Sequence, residues 1–341
     1  MLLIYGATGY TGTLIAEEAR RRGLREVILA GRSEAKLRPL AARLGFGHRA
    51  FELARPDLAG VRAVLHCAGP FSATSRPMVD ACLAARAHYL DITGEVDVFE
   101  AIFARDAEAR ARGVALLPGA GFDVVPSDCL ASHLAGKLPG ATTLELAFAS
   151  GGASSPGTLK TMIEGLAQGG RVRRGGRLIA VPPASEVREI DFGDRRRTAM
   201  SIPWGDLSTA WRSTGIPDIT VFIAASPSAI RAARLTRHAA PLLGLSGVQA
   251  FLKARVERNV QGPREDQRAR GWMRLWGRVT RGTAAASATL QTPEGYTFTA
   301  SAALACAARI AEVQPGAWTP SQAFGHGFAA TLPGVTLQDL P

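Results

Sequence analysis

The chain has 341 residues, 47% of them hydrophobic and 20% charged, a composition typical of a globular protein and not of a disordered, coiled-coil or collagen-like chain. No stretch offers the roughly 20 apolar residues that a membrane span requires. The net charge is +11, and from Asp128 onward 24 Lys and Arg stand against 15 Asp and Glu.

At roughly 100–200 residues per domain, this length predicts two domains. Met1 is followed directly by apolar residues, without the basic segment and cleavage site of a secretory signal, so a cytoplasmic location is expected. The four cysteines form no CxxC pair and are expected to be reduced thiols. The six histidines form no HExxH or similar cluster, so no metal site is expected.

Short apolar runs alternate with helical patterns through the first 126 residues, which predicts βαβ units. Strands are expected at 2–5, 27–30, 50–53, 63–67, 89–92 and 114–117, and helices at 11–22, 34–44, 76–85 and 96–112. The predicted fold class is therefore α/β, with an N-terminal Rossmann domain built on a doubly wound parallel sheet.

After Pro126 the rhythm changes, and a second, α+β domain is expected. Ser127 is predicted to be the N-cap of a helix that ends at Leu138. Further strands are expected at 142–149, 177–181 and 218–224, and helices at 156–166, 229–245 and 248–260. The segments 272–291 and 296–301 are predicted to form a β-hairpin around Thr292–Gly295. The predicted division is 1–127, 128–300 and a C-terminal segment, 301–341, that packs back on the Rossmann domain.

A glycine-rich loop follows the first strand at once, with the sequence Gly6-Ala7-Thr8-Gly9-Tyr10-Thr11-Gly12. Its spacing suits a tight turn at Gly6, close approach of the backbone to a pyrophosphate at Gly9 and close helix packing at Gly12. The strand-turn-helix context predicts a dinucleotide site. Its expected residues are Gly6, Thr8, Gly9, Tyr10, Thr11 and Gly12.

The end of the second strand indicates which dinucleotide fits. NAD-binding domains usually place a carboxylate there to hold the ribose 2′-hydroxyl. This chain has Arg32 and Ser33, with Lys36 one turn further on, so the cations can neutralise a 2′-phosphate and the hydroxyl can donate to it. NADP(H) is the expected cofactor. The alternative is that Arg32 is a solvated residue at the helix start that stacks on adenine.

The fourth strand leads into Cys67, Ala68, Gly69 and Pro70, at the edge of the sheet where ligands bind in such folds. These small residues and the Gly-Pro turn allow the backbone to run alongside the cofactor, so all four are assigned to its site. The preceding His66 is interpreted as a packed residue and not as a catalyst.

Two later loops, Asp91–Glu95 and Gly121–Asp128, leave the same edge of the sheet and carry carboxylates. Asp91, Glu95 and Asp128 are open to two interpretations, helix capping and turn formation or contact with the substrate. Asp123 is the carboxylate chosen to face a substrate and is a candidate catalytic residue. None of the four tyrosines has a Lys four residues later, so the Tyr-x-x-x-Lys pair of short-chain dehydrogenases is absent, and no Gly-x-Ser-x-Gly motif indicates a serine hydrolase.

The order of these motifs resembles that of the saccharopine dehydrogenase-like family. They are Gly6–Gly12, Ala30–Ser33, Cys67–Phe71, Tyr89–Glu95 and Gly121–Asp128. The most similar branch includes the trans-acting enoyl reductases and the saccharopine dehydrogenase-like oxidoreductases. Gly151–Thr158 resembles the Gly-Gly-x-Ser-x-Gly-Thr element of that branch, with one additional residue, and Thr319–Gly325 resembles its C-terminal signature.

The resemblance implies an NADP-binding domain, a second domain for substrate binding and dimerisation, and hydride transfer. The preferred hypothesis is a reductase acting on an unsaturated carbon of a small-molecule or carrier-bound acyl substrate, such as an enoyl thioester or lipid. Two alternatives stay open, a saccharopine-type imine or amino-acid dehydrogenase and a non-catalytic NADP-binding sensor or scaffold.

Two features of the second domain carry further expectations. Thr158 is the second catalytic candidate. The segment Gly151–Thr158 is expected to follow a strand and to begin a helix. The N–H groups of this segment and the hydroxyls of Ser154 and Thr158 can then hold a carbonyl oxygen as negative charge develops on it. The excess of arginine has two interpretations, a GC-rich coding bias or recruitment of an acidic substrate or carrier. A nucleic acid partner is not expected, because no zinc finger or aromatic RNA-binding motif is present.

Overall fold

The computed structural model describes residues 1–151, 155, 157, 159, 163, 169–243, 245–260 and 262–341, without the side chains of 237–243 and 257. The chain forms two compact units. The first unit comprises Met1–Val125 and Tyr296–Gly325, and the second comprises Pro126–Gly295 and His326–Pro341.

The first unit is built on a parallel sheet. Its strands are β1 (Leu2–Tyr5), β2 (Val27–Gly31), β3 (Gly47–Ala50), β4 (Ala63–His66), β5 (His88–Asp91), β6 (Ala115–Leu117) and β15 (Gly316–Ala317). They lie in the order β15-β6-β5-β4-β1-β2-β3, and all neighbours run parallel. The order 3-2-1-4-5-6 is that of a Rossmann sheet, whose ligand edge lies at the carboxyl ends of the strands.

Helices of the first unit connect these strands and bury their apolar faces against the sheet. They are α1 (Tyr10–Arg21), α2 (Glu34–Leu44), α3 (Phe71–Ala85), α4 (Val96–Phe103), α5 (Asp106–Arg112), α11 (Gly295–Arg309) and α12 (Pro320–Phe324). The core between them includes Tyr89, Phe99 and Leu116, all without solvent exposure. The single helix predicted over 96–112 is two helices, α4 and α5, because the backbone leaves helical geometry at Arg105 (φ −90°, ψ 10°).

The second unit contains a mixed sheet. Its strands are β7 (Thr143–Ser150), β8 (Gly170–Arg174), β9 (Arg177–Val181), β10 (Val187–Asp191), β11 (Arg196–Ser201), β12 (Asp218–Ala224), β13 (Trp272–Arg281), β14 (Ala284–Pro293) and β16 (Thr336–Leu340). The main path is β10-β11-β12-β7-β13-β14-β16, with β8 beside β12 and β9 beside β8. Only β7 and β12 pair in parallel among these described strands. A mixed α+β second domain is thus confirmed.

Helices of the second unit are α6 (Val125–Lys137), α7 (Asp206–Thr214), α8 (Pro227–Leu243), α9 (Ser246–Asn259) and α10 (Glu265–Arg270). Helix α6 lies very close to β13, since a Cβ added to Gly277 would stand 2.6 Å from Leu134 Cδ1. Because α6 begins at Val125, the prediction that Ser127 is its N-cap is wrong, and Ser127 lies inside the first turn.

The hairpin predicted near the C-terminus has a different turn. β13 and β14 pair from Trp272 with Pro293 to Arg281 with Ala284, so the chain reverses at Gly282 and Thr283. Gly282 has φ +59°, as the first central residue of a two-residue hairpin turn requires. The turn predicted at Thr292–Gly295 is therefore wrong, and 296–301 belong to α11.

The C-terminal segment 301–341 is divided between the units. Residues up to Gly325 belong to the first unit, whereas β16 pairs with β14 in the second sheet. The domain boundaries 1–127 and 128–300 remain a prediction. Among the described residues, none of the helices combines the length and the apolar character that crossing a bilayer requires.

Candidate active site

The loop between β1 and α1 is packed so closely that it excludes side chains at two glycines. Gly6 has φ +82°, and a Cβ there would lie 2.8 Å from the amide nitrogen of Ala68. A Cβ on Gly12 would lie 2.2 Å from the carbonyl oxygen of Gly6. Gly9 is exposed, and a Cβ there would approach only the same carbonyl, at 3.2 Å. The loop is thus closed towards the protein and open towards solvent.

This open side coincides with the start of α1. Gly9 is the N-cap and provides no side-chain cap, and the first turn carries no acidic residue. The N–H groups at a helix start attract anions, because they are unpaired and lie at the positive end of the helix dipole. The loop therefore fits a pyrophosphate at Gly9, as its sequence predicts.

The end of β2 is cationic. Arg32 and Lys36 are exposed, and no ion pair or hydrogen bond engages either side chain within the described part of the chain. Ser33 is the N-cap of α2, yet its hydroxyl makes no capping hydrogen bond. Two cations and a hydroxyl thus stand beside the last residue of β2, which fits a phosphate on the ribose.

A carboxylate that the sequence did not indicate acts on the same tyrosine as Arg32. Burial raises the pKa of Tyr5, the charge of Arg32 opposes the increase and Glu52 adds to it, so both charged groups lie near the Tyr5 hydroxyl. Glu52 is exposed and follows the end of β3. It partly offsets the positive potential of Arg32 at this edge.

The loop after β4 lies against the glycine loop. The N–H of Cys67 donates to the carbonyl of Tyr5 at 2.8 Å, and Ala68 is the nearest neighbour of Gly6. Burial raises the pKa of the Cys67 thiol far above its usual value, so this cysteine is not a nucleophile at neutral pH. His66 is fully buried with Nε2 3.0 Å from Thr74 Oγ1, and burial lowers its pKa to about 3. It is a neutral, packed residue.

Glu95 connects the loop after β5 to the start of α3. Its two carboxylate oxygens accept hydrogen bonds from the N–H groups of Phe71 and Ser72, at 2.9 and 2.8 Å. This carboxylate thus satisfies the helix start that follows Pro70. The contact favours the capping interpretation of Glu95 and holds the loops after β4 and β5 together.

Replacing Glu95 by Gln is expected to destabilise the protein by about 1.5–3 kcal/mol, because an uncharged amide oxygen accepts these hydrogen bonds less strongly. Urea unfolding measures the difference. The matched control is Glu17→Gln, which removes only an exposed ion pair with Arg43 and should cost less than about 1 kcal/mol. Equal effects of the two substitutions would contradict the capping role.

Asp91 connects the loops after β5 and β6. Its Oδ1 accepts from the N–H groups of Gly119 and Thr93 at 2.8 and 3.0 Å, and its Oδ2 accepts from the Tyr89 hydroxyl at 2.8 Å. Burial raises the pKa of this carboxyl to about 6, against the opposing effect of these hydrogen bonds. Asp91 has no solvent exposure, so its carboxylate has a structural role, in which it holds the two loops through these hydrogen bonds.

Asp123 occupies a different environment. Its carboxyl lies beside Gly94, where an added Cβ would stand 3.1 Å from Oδ2. The side chain is half-buried and accepts no hydrogen bond from any described residue, and burial raises its pKa to about 7. Asp123 is therefore a carboxyl that can hold or release a proton near neutral pH at the ligand edge of the sheet.

Helix α11 contributes contacts that the sequence analysis missed. Thr299 Oγ1 accepts from the N–H of Phe122 at 3.0 Å, and the Tyr296 ring packs edge-on against Tyr10 with centroids 5.0 Å apart. The helix thus contacts both the glycine loop and the loop of Asp123. The alternation of 296–301 suggested a strand, whereas the apolar residues that continue to Cys306 would have indicated a helix.

Replacing Thr299 by Val is expected to loosen the loop of Asp123, because the substitution keeps the side-chain volume and removes the hydroxyl that accepts from the N–H of Phe122. Amide hydrogen exchange at 120–124 should be about fivefold faster than in the wild type, since losing a hydrogen bond of about 1 kcal/mol changes a local opening equilibrium by that factor. Thr299→Ser retains the acceptor and is the control. Unchanged exchange in the Val variant would contradict this role.

One sequence-predicted residue lies outside the first unit. Asp128 lies in α6 of the second unit, fully buried, and accepts a hydrogen bond from the Ser213 hydroxyl at 2.7 Å. Thr158 and Ser154 lie outside the described residues. In the ranges that the structure describes, no three His, Cys, Asp or Glu side chains are grouped as metal ligands.

The strand order, the closed glycine loop and the bare start of α1 define a dinucleotide-binding Rossmann domain. Residues 2–117 match the family model of the saccharopine dehydrogenase NADP-binding domain. The match confirms, for this domain, the resemblance to the saccharopine dehydrogenase-like family and NADP as the expected cofactor.

Two curated relatives agree with this assignment. The chain is 34% identical over 144 residues to a trans-acting enoyl reductase of Mycobacterium leprae, covering 37% of this chain and 33% of that protein. It is 26% identical over 208 residues to a mouse saccharopine dehydrogenase-like oxidoreductase, covering 51% and 47%. The matched regions thus span a third to a half of the relatives' length.

A solved structure extends the similarity to the whole fold. Saccharopine dehydrogenase (L-Glu forming) of Saccharomyces cerevisiae, solved in its apo form, superposes with a TM-score of 0.66 over 100% of this chain and 99% of that chain, at 12% identity. The predicted fold class, a Rossmann domain followed by an α+β domain, is confirmed.

Proposed function

We propose that the protein is an NADPH-dependent reductase that reduces an unsaturated carbon of an acyl substrate. The observation that carries the proposal is the half-buried carboxyl of Asp123, whose raised pKa of about 7 lets it supply a proton at the ligand edge of an NADP-binding sheet. The match to a saccharopine dehydrogenase NADP-binding domain supports the reaction class, and the similarity to the trans-acting enoyl reductase of Mycobacterium leprae supports the acyl substrate.

The residues around the ligand edge fit the cofactor. Gly9 and the start of α1 would hold the pyrophosphate, and Arg32, Ser33 and Lys36 would hold the 2′-phosphate. The backbone of Cys67–Pro70 would lie along the cofactor beyond Gly6. NADPH, when bound, supplies a hydride from its nicotinamide ring.

Asp123 completes the atom balance of the reduction. An unsaturated carbon–carbon bond loses its π bond and gains two C–H bonds, one from hydride and one from a proton. The protonated carboxyl of Asp123 donates that proton and recovers one from water. Thr158, on the segment that resembles the branch's Gly-Gly-x-Ser-x-Gly-Thr element, is proposed on sequence alone to hold the carbonyl oxygen.

Following NADPH absorbance with a panel of enoyl thioesters and of amino acid–keto acid pairs tests the proposal. Oxidation of NADPH by enoyl thioesters is the expected result. Turnover confined to amino acid–keto acid pairs would favour the saccharopine-type reaction instead, and NADPH binding without turnover on either panel would favour a sensor or scaffold. The predicted homodimer is tested separately by light scattering.

A further inference from the structure

The most exposed of the large apolar side chains that the structure describes are concentrated in one part of the second unit. Across the described residues, five large hydrophobic side chains are exposed, and the three most exposed are Leu235 (67%), Phe251 (60%) and Leu245 (53%). Leu235 lies on α8, Phe251 lies on α9 and Leu245 lies in the short connection between these helices. We refer to α8 and α9, together with Leu245, as the α8–α9 hairpin.

The same hairpin is basic and carries almost no negative charge. No Asp or Glu occurs between Asp218 and Glu257, whereas three Arg at 231, 234 and 237 and Lys253 and Arg255 occur in that stretch. Arg231, Arg234 and Arg255 are exposed. A surface with exposed leucine and phenylalanine among cations, in a stretch of sequence without a carboxylate, is unusual for a face that meets only water.

The basic and apolar side chains share the same helical faces. Arg231 precedes Leu235 by four residues on α8, and Arg255 follows Phe251 by four residues on α9. Residues four apart on a helix are neighbours on one face. Each helix therefore presents an apolar side chain with a guanidinium group one turn away. A long arginine side chain can keep its charge in a polar layer while the apolar side chain beside it is buried in an apolar one.

We propose that the α8–α9 hairpin docks on an anionic lipid bilayer. A bilayer surface offers acyl chains for Leu235, Leu245 and Phe251 and negatively charged head groups for the arginines, and each nearby Lys or Arg strengthens attraction to such a surface. A second copy of the chain would bring the same positive charge to the contact, and like charges oppose association. The surface lies in the second unit and does not depend on the proposed reaction.

The test is co-sedimentation of the full chain with vesicles. One set contains phosphatidylcholine with about 30% phosphatidylglycerol and the other contains phosphatidylcholine alone, since only an anionic surface attracts the arginines. The protein is expected to bind the anionic vesicles at least about tenfold more strongly, and binding should weaken as salt rises from about 0.05 to 0.5 M.

Three variants separate this surface from non-specific adhesion. Leu235→Ser combined with Phe251→Ser, and separately Arg231→Gln combined with Arg255→Gln, should each lower vesicle binding at least about tenfold. The control combines Ile179→Ser and Val187→Ser, which removes the other two exposed apolar side chains and should leave binding unchanged. Circular dichroism confirms that each variant is folded.

Several results would overturn the proposal. Equal binding to both vesicle types, no binding to either, or equal effects of the control and hairpin variants would each do so. Loss of self-association in the Leu235→Ser and Phe251→Ser variant, without vesicle binding by the wild type, would identify a contact between copies instead. Binding to an acidic carrier protein but not to vesicles would assign the surface to a protein partner.

Discussion

Asp123→Asn is expected to lower turnover at least about tenfold at pH 7 while leaving the NADPH dissociation constant within roughly twofold. The amide has nearly the same shape as the carboxyl but cannot donate a proton in the required step. NADPH affinity should change little because the residues that fit its phosphates lie on the loops after β1 and β2. Initial rates and fluorescence titration of NADPH measure the two quantities.

The pH dependence of turnover is a second test of Asp123 as the proton donor. Because burial raises the pKa of Asp123 to about 7, a wild-type enzyme that uses its acid form should lose turnover as pH rises above that value, by about tenfold per pH unit. The Asn variant should lack this decline. An increase in wild-type turnover through the same range would make Asp123 a base and reverse the proposed direction of proton transfer.

The stability of the variant distinguishes chemistry from structure. The folded-state pKa of Asp123 lies above its value of 3.8 in an unfolded chain, so ionisation costs stability as pH rises from about 4 to 7. Asp123→Asn should therefore become more stable relative to the wild type over that range. Asp57→Asn, an exposed substitution, is the control. A less stable Asn variant with intact turnover per folded molecule would remove Asp123 from the site.

Arg32→Asp is expected to abolish the preference for NADPH over NADH. A charge-assisted contact with the 2′-phosphate contributes roughly 1.5–3 kcal/mol, or about tenfold to a hundredfold in affinity. A carboxylate at this position repels the 2′-phosphate of NADPH and accepts a hydrogen bond from the ribose 2′-hydroxyl of NADH. Titration of both reduced cofactors measures the preference in each protein.

Two further variants test whether position or overall charge matters. Arg38→Asp makes the same charge change at an exposed position within α2, after the loop that holds Arg32, and should leave the preference largely unchanged. Glu52→Gln removes the carboxylate that acts on Tyr5 against Arg32, and it should strengthen NADPH binding slightly. Equal dissociation constants of NADPH and NADH in the wild type would contradict the assignment of Arg32, Ser33 and Lys36.

The first domain was largely predictable because its signals are local. β1 and α2 have the predicted limits, and the glycine loop has the predicted strand-turn-helix context. What the sequence could not indicate depends on distant partners. The caps supplied by Glu95 and the buried hydrogen bonds of Asp91 join separate loops, and Thr299 reaches Phe122 from 177 residues away.

The second domain was less predictable because several of its strands lack apolar runs. β10 exposes every residue except Ile190, so no hydrophobic pattern marks it, and in β8 the only apolar side chain, Val172, stands among three arginines. The sheet is stabilised by pairings between distant segments, such as β7 with β13. The misplaced hairpin turn shows the same difficulty, because Thr292–Gly295 has turn-forming residues, yet the two ten-residue strands reverse at Gly282.

A single-turnover reaction with NADPH deuterated at nicotinamide C4 tests the central claim, that this chain transfers hydride to an unsaturated acyl carbon, most directly. Both C4 epimers are used with an enoyl thioester, and the product is analysed by mass spectrometry and NMR. We expect one epimer to place deuterium at the β-carbon and the solvent to supply hydrogen at the α-carbon. Bound NADPH that is consumed without transfer of deuterium to the acyl product, or not consumed with any enoyl thioester, would contradict the account.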